Sequence, residues 1–208
     1  MKTILDLPTK VVAGLTLAHG AGAGMHHQFM TELAASLVAR GFAVLRFQFP
    51  YMESGKKRVD SPAIATATVA SAVEALRKQI PKKVPIFAAG KSFGSRMTTT
   101  AAAEGLLKDV EGIICYGFPL HPAGKPGITR ADHLPQVLMR TLFLQGTRDD
   151  LADLKLMRGV CKKLPLAKLH VIEGADHGFD VLKRSGRTSR EVMEELADES
   201  LRFAKVEI

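Results

Sequence analysis

Short apolar runs alternate with longer segments of helical period along almost the whole chain, and this alternation limits the fold more than any other feature of the sequence. Runs at residues 11–18, 42–47, 84–89, 112–116, 141–144 and 168–172 are mostly continuous rather than alternating. Such runs suit strands buried on both faces of a parallel sheet. Between the first two, Met30, Leu33, Leu37 and Val38 keep helical spacing, and Gly41 stands where a left-handed C-cap belongs. Ser61-Pro62 offers an N-cap and a first-turn proline to a helix with Val69, Val73, Leu76 and Ile80 on one face. Thr188 and Glu191 have capping-box spacing before a closing helix that carries Val192, Leu196 and Phe203. The order β-α-β-α predicts a three-layer α/β/α sandwich around a mostly parallel sheet with right-handed crossovers.

Length and composition narrow the reading further. The 208 residues, 46% apolar and 24% charged, fill one core and show no break in composition and no internal repeat, so a single domain over residues 1–208 is expected. Lys and Arg number 29 against 21 Asp and Glu, a net charge of +8. Ten Phe, two Tyr and no Trp, with no basic stretch interleaved with rings, argue against a nucleic-acid partner. The basic runs, such as Lys56-Lys57-Arg58, are short and scattered and read as solvated faces. Two cysteines, neither in a C-x-x-C, predict no disulfide framework, no metal site and a reducing compartment. Asp6 and Pro8 interrupt the start before a signal-peptide core, and no apolar run reaches the ~18 residues of a membrane helix. A cytoplasmic protein that does not bind membranes is the expectation.

The sharpest motif is Gly90-Lys91-Ser92-Phe93-Gly94, a G-x-S-x-G between an apolar run and a helical stretch of small residues. A serine on so sharp a turn projects its hydroxyl above the sheet, and the N-terminus of the next helix favours a developing oxyanion. A phosphate-binding loop ending in Gly90-Lys91-Ser92 would need glycine where Pro85 stands. A dinucleotide fingerprint in His19-Gly20-Ala21-Gly22-Ala23-Gly24 fails at Met25 or His27, and Gln48 replaces the ribose-binding acid. The small residues after His19 fit an oxyanion loop instead. A serine needs a base and the base an orienting acid. Loops after later runs supply Asp149-Asp150 and His177, in the chain order Ser, Asp, His.

On these three motifs the chain resembles a small α/β-hydrolase from Val11 onward, most of all the capless dienelactone-hydrolase-like group. The His19–Gly24 loop and Phe49-Pro50-Tyr51 resemble the branch that includes the non-specific-lethal complex subunit and testis-expressed hydrolase-like proteins. The resemblance implies Ser92 as nucleophile, His177 as base and then acid, and Asp149, three residues after Gly146, as its orienter. It places the oxyanion hole at the backbone N–H groups of Phe93 and Ala21, with Gly22 as a substitute for Ala21. Asp150 is then expected to cap the following helix. Too few residues precede the first run for the family's leading antiparallel hairpin, and no segment has lid length, so a reduced sheet of six or seven strands with an open site is expected.

Two irregular stretches, 51–60 and 118–127, follow strand ends where open α/β sheets bind ligands, and they are the candidate substrate-lining loops. Gly22, His26, Tyr51 and Lys91 are the candidate substrate contacts, and adjacent His26-His27 lack metal-ligand spacing. His170, inside a strand, reads as structural. The reaction class implied is two-step acyl transfer on an ester or thioester of a small acid, with no metal or organic cofactor. The alternative is a non-catalytic interaction scaffold on the same fold. Nothing in the sequence sets the oligomeric state.

Overall fold

The computed structural model describes residues 1–205 and contains a seven-stranded sheet in the order β1-β3-β2-β4-β5-β6-β7. The strands are β1 (Thr3–Asp6), β2 (Ala13–Ala18), β3 (Phe42–Phe47), β4 (Ile86–Lys91), β5 (Gly112–Tyr116), β6 (Thr141–Gly146) and β7 (Ala167–Ile172). Every pairing is parallel except β1 with β3, where Thr3 lies opposite Phe47. The six runs of the sequence are thus six strands. The seventh, β1, comes from the segment too short for a hairpin, and it joins as a single antiparallel edge strand. Arg46, a charge inside a run otherwise apolar, explains its place. Its buried guanidinium pairs with Asp6 on β1 at 2.9 Å and also donates to the Met25 carbonyl at 3.1 Å.

Helices α3 (Pro62–Arg77), α4 (Phe93–Ala103) and α5 (Leu154–Lys162) bury their apolar stripes on one face of the sheet. On the other face, α1 (Gln28–Val38) and α6 (Ser189–Lys205) do the same. A single-turn α2 (Pro50–Glu53) opens the stretch after β3. Because β3 and β4 lie on opposite sides of β2, the chain changes direction at the β2/β4 junction. The crevice outside the carboxyl ends of those two strands is where such sheets bind ligands.

The element ends follow the local chemistry with two exceptions. Gly41 takes φ +92° and its N–H donates to the Val38 carbonyl at 2.9 Å, ending α1 as a left-handed residue should. Thr188 and Glu191 close a reciprocal capping box: the Thr188 N–H donates to the Glu191 carboxylate at 2.7 Å, and the Glu191 N–H donates to the Thr188 hydroxyl at 3.2 Å. Ser61 does stand at the N-cap of α3, but its hydroxyl makes no capping bond, leaving Pro62 to set the first turn. Asp150 does not cap α5. Residues after it continue a turn, and Asp153 caps instead by accepting the Leu156 N–H at 2.8 Å. His170 is held to α6 by Glu195 at 2.8 Å. No helix among the described residues is long and apolar enough to cross a membrane.

Removing the capping hydroxyl leaves the Glu191 N–H, a first-turn donor of α6, without its side-chain acceptor. Thr188→Ala is expected to lower unfolding free energy by about 1 kcal/mol, read as a lower urea midpoint with an unchanged slope.

Candidate active site

The site is built around the tight connection from β4 to α4. Ser92, the single residue between them, has φ 52° and ψ −115°, a conformation that costs a non-glycine residue of order 1–3 kcal/mol. Two glycines make the turn sterically feasible. A Cβ on Gly90 would lie 2.3 Å from the Gly94 carbonyl carbon, and one on Gly94 would lie 2.4 Å from the Ala18 oxygen at the end of β2. Both obstacles are backbone, so neither can yield. The Ser92 N–H donates to the Tyr116 carbonyl of β5 at 3.0 Å, which ties the turn to the neighbouring strand.

Ser92, His177 and Asp149, three loops apart in sequence, meet at the carboxyl edge of the sheet. His177 Nε2 lies 2.8 Å from Ser92 Oγ, and His177 Nδ1 lies 2.8 Å from Asp149 Oδ2. With Nδ1–H donating to the carboxylate, Nε2 is left to accept from the serine hydroxyl. Asp149 is buried, and its oxygens also accept from the Gln145 amide at 2.5 Å and the Leu151 N–H at 2.8 Å. Asp150 is exposed and makes no such contact. The loop carrying His177 is closed by Asp176, whose carboxylate accepts the N–H groups of Gly178 at 2.8 Å and Asp180 at 3.0 Å.

The loop after β2 is anchored by His19, which is fully buried. Its Nδ1 donates to the Gly20 carbonyl at 2.7 Å and its Nε2 accepts the Phe49 N–H at 3.1 Å, so the ring is neutral and joins the ends of β2 and β3. Burial lowers its pKa in keeping with that role. The Phe93 N–H, first in α4, has no intrahelical acceptor. The Ala21 N–H also has no acceptor among the described residues. Gly22 differs, because its N–H donates to the Tyr51 hydroxyl at 2.9 Å.

A cavity of about 340 Å³ opens beside Ser92 and His177, bordered by Ala21, His27, Met30 and Leu151. Of the four candidate substrate contacts, two turn inward. Tyr51 is buried and braces Gly22. Lys91 borders the cavity, but its Nζ donates to the His177 carbonyl at 2.5 Å and sits over the rings of Phe29 and Phe179, 5.5 and 5.1 Å from their centroids. His26 is exposed and does not border the cavity; its neighbour His27 does, while also capping α1 by accepting the Phe29 N–H at 3.2 Å. Sequence reasoning missed the anchoring parts played by His19 and Gln145. A polar residue closing an apolar strand, as both nearly do, was the available signal.

Burial brings Lys91 down to about 8 from the ordinary lysine value of 10.5, against the opposing pull of Asp149 and Asp176.

The sequence matches the family described as "Alpha/beta hydrolase domain" over residues 11–205. Solved structures with the same fold include an alpha-beta serine hydrolase homologue from Coxiella burnetii, with TM-score 0.76, 19% identity, and 95% of this chain and 90% of that one covered. A serine hydrolase without a lid from Xanthomonas campestris gives TM-score 0.73 at 22% identity, covering 99% and 90%. A dienelactone hydrolase from Anabaena variabilis gives 0.71 at 18% identity, covering 96% and 88%.

Two measurements check this geometry. Because the Gly90 contact is backbone on backbone, Gly90→Ala is expected to cost about 2–3 kcal/mol or more and to lower the thermal midpoint by several degrees. Lys91 is expected to titrate by NMR with a midpoint near pH 8, and a midpoint above 10 would contradict its burial. Between pH 8 and 10.5 the folded protein has shed a proton that the unfolded chain keeps, so the contribution of Lys91 to stability rises with pH across that window.

Proposed function

We propose that this chain, which belongs to the α/β-hydrolase family, is a serine hydrolase that cleaves a carboxylic ester or thioester of a small acid through an acyl-serine intermediate. The observation that carries the reading is the relay of two 2.8 Å contacts from Ser92 through His177 to Asp149, set on a strained turn that only this arrangement of glycines allows. Neighbours of the same fold being described as serine hydrolases supports it.

In this reading the Ser92 hydroxyl attacks the carbonyl carbon while His177 Nε2 takes its proton. Asp149, hydrogen-bonded at Nδ1, holds the ring in the tautomer that leaves Nε2 basic and stabilises the imidazolium that forms. The oxyanion is held by the Phe93 and Ala21 N–H groups, each donor worth on the order of 3 kcal/mol of barrier. Gly22 is not the substitute donor, since Tyr51 already takes its N–H. His177 then returns the proton to the leaving group, and water repeats the sequence on the acyl-enzyme. The partner is thus a small acyl compound, and no step calls for a metal or organic cofactor. A cavity of about 340 Å³ accommodates a short acyl group better than a long lipid chain.

A fluorophosphonate probe tests the reading directly. Labelling of the wild type at Ser92, lost in Ser92→Ala, is expected; folded wild-type protein that takes no label would favour the interaction-scaffold alternative. Asp149→Asn is expected to keep the fold but lower kcat roughly 10⁴-fold, because the amide would impose the wrong tautomer on His177.

A further inference from the structure

Two arginines beside the site have no counter-ion. Arg96 lies on α4, its N–H donating to the Ser92 carbonyl at 3.1 Å, one helical turn beyond the nucleophile. Spaced three residues from Phe93, it shares the half-exposed face of α4, whose other residues are mostly buried. Phe93 meets Phe49 and Tyr51 on that face, at centroid distances of 5.3 and 6.5 Å. On the far side, the segment containing the short 3-10 turns Thr129–Ala131 and Leu134–Gln136 packs against α4 through a 2.8 Å contact from His133 to the Thr99 hydroxyl. Arg130 sits in the first of those turns. The Arg96 face therefore lies between the end of β3 with the start of the 51–60 stretch and the 3-10 turns that follow the 118–127 stretch.

The unusual feature is how Arg96 is left. Its Nε is closed off from solvent and has no hydrogen-bond partner, and its guanidinium makes no ion pair among the described residues. Arg77 provides a control within the same molecule. Its Nε is also buried and unpartnered, but its terminal nitrogens donate to the Val84 and Pro81 carbonyls at 2.8 and 2.6 Å, so the group as a whole is satisfied. Arg96 has no such compensation. Arg130 likewise makes no hydrogen bond or ion pair among the described residues, and it is near enough to Arg96 to push its pKa further in the direction that burial already drives it, downward. Asp132 is the acid of this neighbourhood and pairs with neither arginine. At His133, driven down to about 4 first by burial, the effect of Arg96 outweighs that of Asp132. Two like charges held together, one partly desolvated, favour an anion between them, since an unpaired charge out of water is costly.

We propose that Arg96 and Arg130 form the binding site for an oxyanion, a carboxylate or phosphate group, carried by the substrate cleaved at Ser92. This rests on the serine-hydrolase reading and specifies its substrate class: a bifunctional acid derivative whose scissile carbonyl and anionic end are separated by a short chain. Arg96 follows Ser92 by one helical turn, about 5.4 Å along α4, which calls for a short chain between the two groups. The guanidinium fork matches both carboxylate and phosphate, and exposed Lys56, Lys57 and Arg58 on the 51–60 stretch add a positive approach.

The test compares kcat/KM for 4-nitrophenyl hydrogen adipate with that for its neutral methyl ester, and for the ester of 5-phosphonopentanoic acid, which separates phosphate from carboxylate preference. For the wild type at low salt, the better anionic ester is expected to exceed the neutral one, with the preference in KM and shrinking as salt rises. In Arg96→Gln, and in Arg130→Gln on its short surface turn, the anionic-to-neutral ratio is expected to fall roughly ten- to a hundredfold, with Arg96→Lys intermediate. A wild-type ratio at or below one, or variants that lower both rates by the same factor, would overturn the proposal. If no ester is cleaved, the hydrolase reading fails by itself. Calorimetry with adipate and inorganic phosphate then decides the anion site: binding lost in Arg96→Gln supports it, and no binding to the wild type sinks it.

Discussion

The contact between Gly90 and Gly94 governs the rest of the site. A strand can pass into a helix through one residue only if the helix start lies against the strand it has just left, and here the ideal Cβ position of Gly90 falls 2.3 Å from the Gly94 backbone. That approach forces Ser92 to φ 52°, lifts its hydroxyl off the sheet and leaves the first N–H of α4 facing the same side. The sheet order then supplies the remaining groups without further strain. β2 on one side ends in His19 and the small-residue loop after it, while β5 on the other accepts the Ser92 N–H; β6 and β7, next in order, end in the loops that carry Asp149 and His177.

His177 is held from more than one side. Asp149 fixes the ring and Lys91 fixes the backbone, its Nζ on the His177 carbonyl. Lys91 lies on the α1 side of the sheet, lodged between Phe29 of α1 and Phe179 of the His177 loop, whose rings stack at 5.6 Å. Burying an ammonium is costly, as its lowered pKa records. The carbonyl, the two ring faces and the buried negative charge of Asp149 offset that cost. A lysine adjacent to Ser92 in sequence thus holds the loop that carries His177.

What the sequence revealed and what it hid divide along a physical line. Runs buried on both faces, helix stripes and the Thr188–Glu191 box depend on neighbours a few residues away, so 112–116 was readable as a strand; 168–172 is a strand too, but at the sheet edge and mostly half-buried instead of buried on both faces. The turn at Ser92 was readable because its glycines sit within four residues of each other. Contacts made by long side chains across the fold left no local trace. β1 depends on Arg46 reaching Asp6, and the inward turn of Tyr51 depends on Gly22, 29 residues away. Asp150 and Asp153 are equally good caps by type; the turn at 150–152, which delays α5 to Leu154, decided between them. The silent Ser61 hydroxyl shows the converse, since a residue of the right type at the right position still needs the right rotamer.

The net charge of +8 takes on local meaning in this setting. Three arginines at or near the ends of the outer helices find carboxylates: Arg40 reaches Asp198, Arg187 reaches Glu195 and Arg190 reaches Glu194. Such pairs on the surface contribute little to stability, and fully solvated lysines need no partner because water screens them. Arg96 belongs to neither class. Its Nε is out of water without a partner, its guanidinium makes no ion pair among the described residues, and the charge that acts on it is another guanidinium, that of Arg130. Arg77, also half-buried and without a carboxylate, is satisfied by the Val84 and Pro81 carbonyls, whereas Arg96, one helical turn beyond Ser92, has neither a carboxylate nor a carbonyl among the described residues, and it keeps that end of α4 positive.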